Sequence, residues 1–263
     1  MKKNIYKLIG SMLALSVIVT SCNSDDNFTY DLPEQADVTQ VTMSAVQSSS
    51  SQCTAELTVT STDASSIYYW ILPSNAEAPN SVEVFDNGDE LNFDSATSMT
   101  VTTGDLASGT GYTVYAVSVN KDGLRSEQVF TASYTQPTYQ IMVDSTYTST
   151  VTALGSQTPS HTATLTPVPG TTNQYSIDSA WGPNFVATLT GNPTYQGQFL
   201  YAGTLTINSD FSVTIVGVPT STWATGGTGT YDPCTNLISY TLTQTLFTGN
   251  AFTTSVVLTP DNL

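Results

Sequence analysis

Basic residues are what this chain has least of: five Lys and Arg stand against 21 Asp and Glu in 263 residues, with a single His. A protein that binds nucleic acid or an anionic membrane surface needs clustered Lys and Arg, so neither partner is expected. Histidine is confined to His161 and no Cys-x-x-Cys occurs, which leaves too few ligands for a zinc site. Nothing is similar to a nucleophile elbow. A glycosidase needs only two carboxylates. The second half of the chain offers Asp144, Asp178, Asp210, Asp232 and Asp261, of which Asp210 and Asp232 read as turn residues. The expectation is a non-enzyme, with no catalytic residue, no metal and no cofactor. Glu, Lys and Leu are scarce too, and with them go the strong helix formers. The abundant Thr, Ser, Gly and Asn favour strands and turns instead, so an all-β chain is expected.

What is present begins at the first residue. Met1-Lys2-Lys3 and Lys7 precede the apolar run Leu8–Val19, which is too short for a permanent membrane span and reads as a secretory signal over 1–21. The segment Val19-Thr20-Ser21-Cys22 resembles a lipobox, which implies a diacylglycerol on the Cys22 thiol and cleavage before it. The following Asn23-Ser24-Asp25-Asp26-Asn27-Phe28 resembles the surface-export signal of Bacteroidota lipoproteins. That resemblance implies an outer-membrane lipoprotein facing the cell exterior. Residues 22–37 are too polar and acidic to fold and read as a tether. From Cys22 on, only Lys121 and Arg125 face the 21 acids, a formal charge of −19. Sixteen of those acids precede residue 137 and five follow it, with no Lys or Arg among residues 137–263. This shift sets a domain boundary near Thr135-Gln136-Pro137.

In residues 38–136 apolar and polar residues alternate, the pattern of half-buried strands. Val41, Met43 and Ala45 share one face; Cys53, Ala55, Leu57 and Val59 share another. Some seven short strands separated by turn signals suggest a sandwich. Leu106-Ala107-Ser108-Gly109-Thr110-Gly111-Tyr112 resembles the fibronectin type III family, with Ser108 where that family has Pro. The resemblance implies a tyrosine corner, in which the Tyr112 hydroxyl bonds to backbone upstream. Asp86–Asp94 holds enough carboxylates to wrap Ca²⁺ but lacks EF-hand spacing, and reads as a solvated acidic loop. Tyr68 and Trp70 share the face opposite Tyr69 and are expected in core or interdomain packing rather than as an exposed pair. Cys53 and Cys234 fall in different domains. Two unpaired thiols are expected in preference to a bridge across the interface, because spacing does not reveal connectivity.

Residues 137–263 carry strand patterns at 139–143, 147–152, 161–165, 174–178, 185–190, 203–208, 212–216, 237–243 and 253–258. Short Gly-, Pro-, Asn- and Asp-bearing connections suggest an antiparallel meander, closed as a barrel or curved as a sandwich. Tyr175-Ser176-Ile177-Asp178, Trp181-Gly182, Tyr201–Ile207 and Gly229–Pro233 are similar to a C-terminal β-domain of Bacteroidota surface lipoproteins that accompany SusC/SusD-type glycan uptake. The resemblance implies a non-catalytic glycan-binding role within an outer-membrane uptake complex; the alternative is a structural or adhesive module for a protein partner. Aromatic faces stack on sugars, and loops carry binding residues. The candidates are Trp223 in the polar, Gly-rich stretch 220–227, Trp181 beside Gly182-Pro183, and Tyr195 in 192–197. A Trp223 that plugs the barrel end by packing is the alternative for that residue.

Overall fold

A computed structural model describes residues 40–93, 95–249 and 252–261. The signal segment, Cys22 and the acidic tether lie outside the described residues. The chain is all-β, with a fibronectin III/Ig-like sandwich followed by an antiparallel barrel.

The sandwich packs two sheets. One orders β1 (Val41–Gln47), β2 (Ala55–Ser61) and β5 (Ser98–Thr102). The other orders β4 (Asp89–Asn92), β3 (Ala64–Pro73), β6 (Gly111–Asn120) and β7 (Phe130–Thr135). Alternation decides which side chains meet. Leu57 and Val59 from β2, Ile67 and Tyr69 from β3, and Val114 and Ala116 from β6 form the core between the sheets. Tyr112 closes the corner as its neighbours imply: the Ala107 N–H donates to its hydroxyl at 2.7 Å.

The outer face of β3 and β6 has a small core of its own. Tyr68, Trp70, Tyr115 and Val117 would stand in water there, but helix α1 (Ser81–Asn87) covers them with Val84 and Phe85. The helix is held by a capping box. The Asn80 side chain accepts from the N–H groups of Val82 and Glu83, and Glu83 accepts from the Asn80 N–H. The expected acidic loop is therefore half helix end and half edge strand. Asp86 closes α1, while Asp89 and Glu90 open β4. Asp94 lies outside the described residues.

The barrel is a ring of eight antiparallel strands. β8 (Thr146–Ala153), β10 (His161–Pro167), β11 (Gln174–Ile177), β12 (Gly203–Ile207), β13 (Ser212–Gly217), β14 (Ala224–Asp232), β15 (Leu237–Gln244) and β16 (Thr254–Pro260) pair in that order, and β16 closes onto β8. A two-residue β9 (Ser156–Gln157) folds back on β8. Closure leaves no edge in the ring. Inward positions fill the bore with Val151, Leu165, Leu205, Ile215, Ile238, Leu242 and Leu258, all essentially without exposure. Outward positions carry hydroxyls, as in Thr148, Thr150 and Thr152 or Thr162, Thr164 and Thr166. Hydration by hydroxyls in place of charges accounts for how few charges this half carries, five Asp and no Lys or Arg.

Two expected strands are not strands. Residues 139–143 run along the barrel rim, where the Met142 N–H and carbonyl both bond the Tyr231 hydroxyl. Residues 185–190 form helix α2 (Phe185–Thr190), ended by Gly191 in the left-handed conformation. Their β-branched residues lean toward strand, but burial of Phe185, Val186 and Ala187 against the barrel overrides that lean. One strand, β14, reads in the sequence as loop because of its glycines. Gly229 is needed there for close approach: a Cβ would collide with the Ser239 carbonyl oxygen and stand 2.6 Å from the Tyr240 Cα.

Sandwich and barrel belong to one compact unit, and the joint corrects the expectation for the cysteines. Cys53 and Cys234 form a disulfide across the interface. Cys53 is fully buried, as expected, but sits in the turn before β2 rather than on the strand. Around the bridge, Gln52 Nε2 donates to the carbonyls of Pro233 (2.7 Å) and Gln140 (2.9 Å), and the Gln140 N–H donates back to Gln52 Oε1 (2.7 Å). Ser51 Oγ donates to the Cys234 carbonyl at 3.1 Å.

Candidate functional site

The joint occupies the barrel end formed by the β14–β15 turn. The opposite, distal end is formed by the ends of β8, β13 and β15 and the starts of β10, β14 and β16, as the register of their pairs requires. All three aromatic candidates lie at this distal end. The long β11–β12 connection, residues 178–202, crosses it as a plug.

The plug starts with a tight turn. Ser179 Oγ donates to the Gly182 carbonyl (3.0 Å) and accepts from the Tyr201 N–H (3.2 Å), and the Ala180 N–H donates to the Tyr201 carbonyl (2.8 Å). This turn aims Trp181 inward. Its indole stacks on Phe185 at 4.7 Å, meets Tyr201 edge-on at 5.0 Å, and donates its N–H to the Phe199 carbonyl at 3.0 Å. At 1 % exposure Trp181 is a core residue of the plug. Trp181 thus offers no open face to bulk solvent: a Gly-Pro neighbourhood marks a turn, but a turn can point its aromatic either way. Two tyrosines tie plug and barrel together, Tyr240 from barrel strand β15 and Tyr201 from the plug itself. The Tyr240 hydroxyl donates to the Ala180 carbonyl (3.0 Å), and the Tyr201 hydroxyl accepts from the Gly226 N–H (2.6 Å). Burial raises the pKa of both phenols, so they stay protonated across the physiological range.

Tyr195 and Trp223 are brought together by a residue that the sequence reading passed over. Phe199 packs edge-on against Tyr195 (5.5 Å) and against Trp223 (5.8 Å). All three rings are half-buried. Phe199 does this with φ at 57°, a left-handed conformation that costs a non-glycine residue about 1–3 kcal/mol and is typical of sites where position outweighs comfort. Its signal in the sequence was an aromatic four residues after Tyr195 in a Gly- and Gln-rich segment. Trp223 is not mid-loop: it is the last residue before β14, and its indole N–H is enclosed without a protein partner.

The acids do not gather here. Asp210 is tied into the β12–β13 turn by Ser212, whose N–H and hydroxyl hold its carboxyl below the usual pKa. Asp232 is tied into the β14–β15 turn by Cys234 N–H and Thr235 Oγ1. Both turns are at the sandwich end, whereas Asp178 is at the distal end. No group of three or more His, Cys, Asp or Glu able to hold a metal occurs among the described residues.

Comparison with protein-family models, with curated proteins and with solved structures finds no match to this chain.

Proposed function

We propose that the protein is a lipid-anchored, surface-exposed binding protein without a catalytic role, which recognises glycan with the distal end of its barrel as an accessory of polysaccharide uptake. The single observation that carries this reading is the half-buried row Tyr195–Phe199–Trp223 on the end of the barrel away from the sandwich. Aromatic rings with part of their surface open are the groups that stack on the C–H faces of sugars. The filled bore supports an end-on site, since a packed interior has no room for a ligand. The Cys53–Cys234 disulfide supports export, because such bonds persist in oxidising compartments. In this reading Cys22 holds the membrane through its lipid, the sandwich is a spacer, and an outer-membrane uptake complex is the partner.

Electrophoresis through gels that each contain one polysaccharide tests the proposal. Retardation by at least one neutral or acidic polysaccharide is expected, and migration unchanged in every gel would refute it. A second reading, a structural or adhesive module for a protein partner, is favoured by the exposure of Leu154 and Val216 at the same barrel end. Under that reading the distal end is crosslinked to a protein and no polysaccharide retards migration.

A further inference from the structure

The chain has a single histidine. His161 opens β10, opposite Ser149 of β8. Its ring lies against Gly182 so closely that a Cβ on that glycine, which has φ at 88°, would stand 2.5 Å from Cε1 and 2.7 Å from Nδ1. Among the described residues no hydrogen bond engages the imidazole, and Nε2 is enclosed without a partner. Enclosed polar nitrogens are almost always bonded, so this one calls for an explanation.

His161 belongs to the wall of a cavity of about 250 Å³ beside the plug, which Trp181, Phe185, Asn184, Thr188 and Gln196 also line. Asn184, Thr188 and Gln196 line it with exposed polar side chains, none of them hydrogen-bonded among the described residues and all free to meet a ligand in place of water. No Asp, Glu, Lys or Arg lines the cavity. Unused amides, a hydroxyl and an imidazole around an apolar wall make a site for a ligand rich in hydroxyls and free of charge. The volume falls below the ~300–1,000 Å³ of sites for drug-sized ligands and suits a single ring.

We propose that this cavity holds one neutral sugar residue, its hydroxyls met by His161, Asn184 and Gln196 and its carbon face toward the Trp181–Phe185 wall. The proposal rests on the glycan reading above and narrows it to a subsite. Burial holds the His161 pKa below its usual value, and no other titratable group lines the cavity. The ring is uncharged at neutral pH and presents one nitrogen as donor and one as acceptor.

A single histidine is its own probe. The imidazole C–H resonances of the purified protein are followed by NMR during titration with the methyl glycosides of glucose, galactose, mannose, xylose and N-acetylglucosamine. At least one glycoside is expected to move the His161 resonance saturably and to lower its titration midpoint further, since the site takes the neutral ring. In the Asn184→Ala, Gln196→Ala double variant, whose melting should match the wild type, binding should be roughly tenfold or more weaker. A resonance that no glycoside moves, or a shift that survives in the double variant, overturns the subsite. Polysaccharide gels separate the two failures. Retardation that persists in the double variant but is lost in Trp223→Ala leaves the glycan reading standing without this cavity; no retardation in any gel removes both.

Discussion

Replacing Cys53 and Cys234 by serine removes the one disulfide found among the described residues and the only covalent tie between sandwich and barrel besides the connecting chain. The bridged residues are 181 apart in sequence. In the chain-entropy treatment, freeing a loop of that length stabilises the unfolded state by about 5 kcal/mol at 25 °C, the upper end of the ~2–5 kcal/mol lost when native disulfides are removed. What remains at the joint is a small set of hydrogen bonds, those around Gln52 and Ser51 and those that Tyr139 gives to Ser108 Oγ and the Leu106 carbonyl, each with a net worth of about 0.5–1.5 kcal/mol. Each half keeps a separate hydrophobic core, one around Leu57 and Ile67 and one around Leu205 and Leu242. The double variant should therefore melt earlier and in two steps. At about 2–4 °C per kcal/mol for a chain of this size, the first step should fall by about 10–20 °C. Differential scanning calorimetry of wild type, reduced wild type and the double variant reads this out, alongside titration of free thiols in unreduced, denatured protein. A variant that melts within about 1 °C of wild type, in one step, or two titratable thiols beyond Cys22, would refute the reasoning.

Trp181→Ala should cost about 3–5 kcal/mol in urea unfolding, because it empties a fully buried site and orphans the Phe199 carbonyl, whereas half-buried Trp223→Ala should cost about 1–2 kcal/mol. Gly229→Ala should destabilise by about 1–3 kcal/mol or more, because its Cβ meets backbone that cannot yield, and the same melts would show it. Stability should also depend on pH through His161. Its folded pKa is depressed, so the unfolded chain binds the proton more tightly; the stabilisation is complete above about pH 6.5 and is lost as pH falls through the unfolded and then the folded pKa. Urea midpoints between pH 5 and 8 should show this slope, and His161→Gln should flatten it.

How far the sequence speaks for this fold depends on how local the signal is. Leu57 and Val59 alternate with Thr58 and Thr60, and that period alone puts β2 in the structure. The Leu106–Tyr112 segment forms the tyrosine corner its neighbours imply. β14 fails the same test because Gly226, Gly227 and Gly229 interrupt its alternation, placed for a backbone approach to β13 and β15 that no single-strand pattern contains. α2 fails because its Val and Thr residues favour strand until the barrel end offers them a surface to cover. α1 could have been found: Asn80 and Glu83 bracket a capping box ahead of Val84 and Phe85. The disulfide could not, since nothing in 181 intervening residues says that the β14–β15 turn meets the turn before β2. Among the candidate aromatics, the sequence placed all three on connections, but their gathering at one end of the barrel, the direction of Trp181, and the role of Phe199 between Tyr195 and Trp223 belong to tertiary packing.

The central claim is that the distal aromatic row recognises glycan. A glycan array probed in parallel with labelled wild type and Trp223→Ala protein tests it most directly. The account predicts binding to a restricted set of related glycans by the wild type and loss of that signal in a variant that still folds; an array on which the wild type binds nothing, or binds the same set as Trp223→Ala, contradicts it.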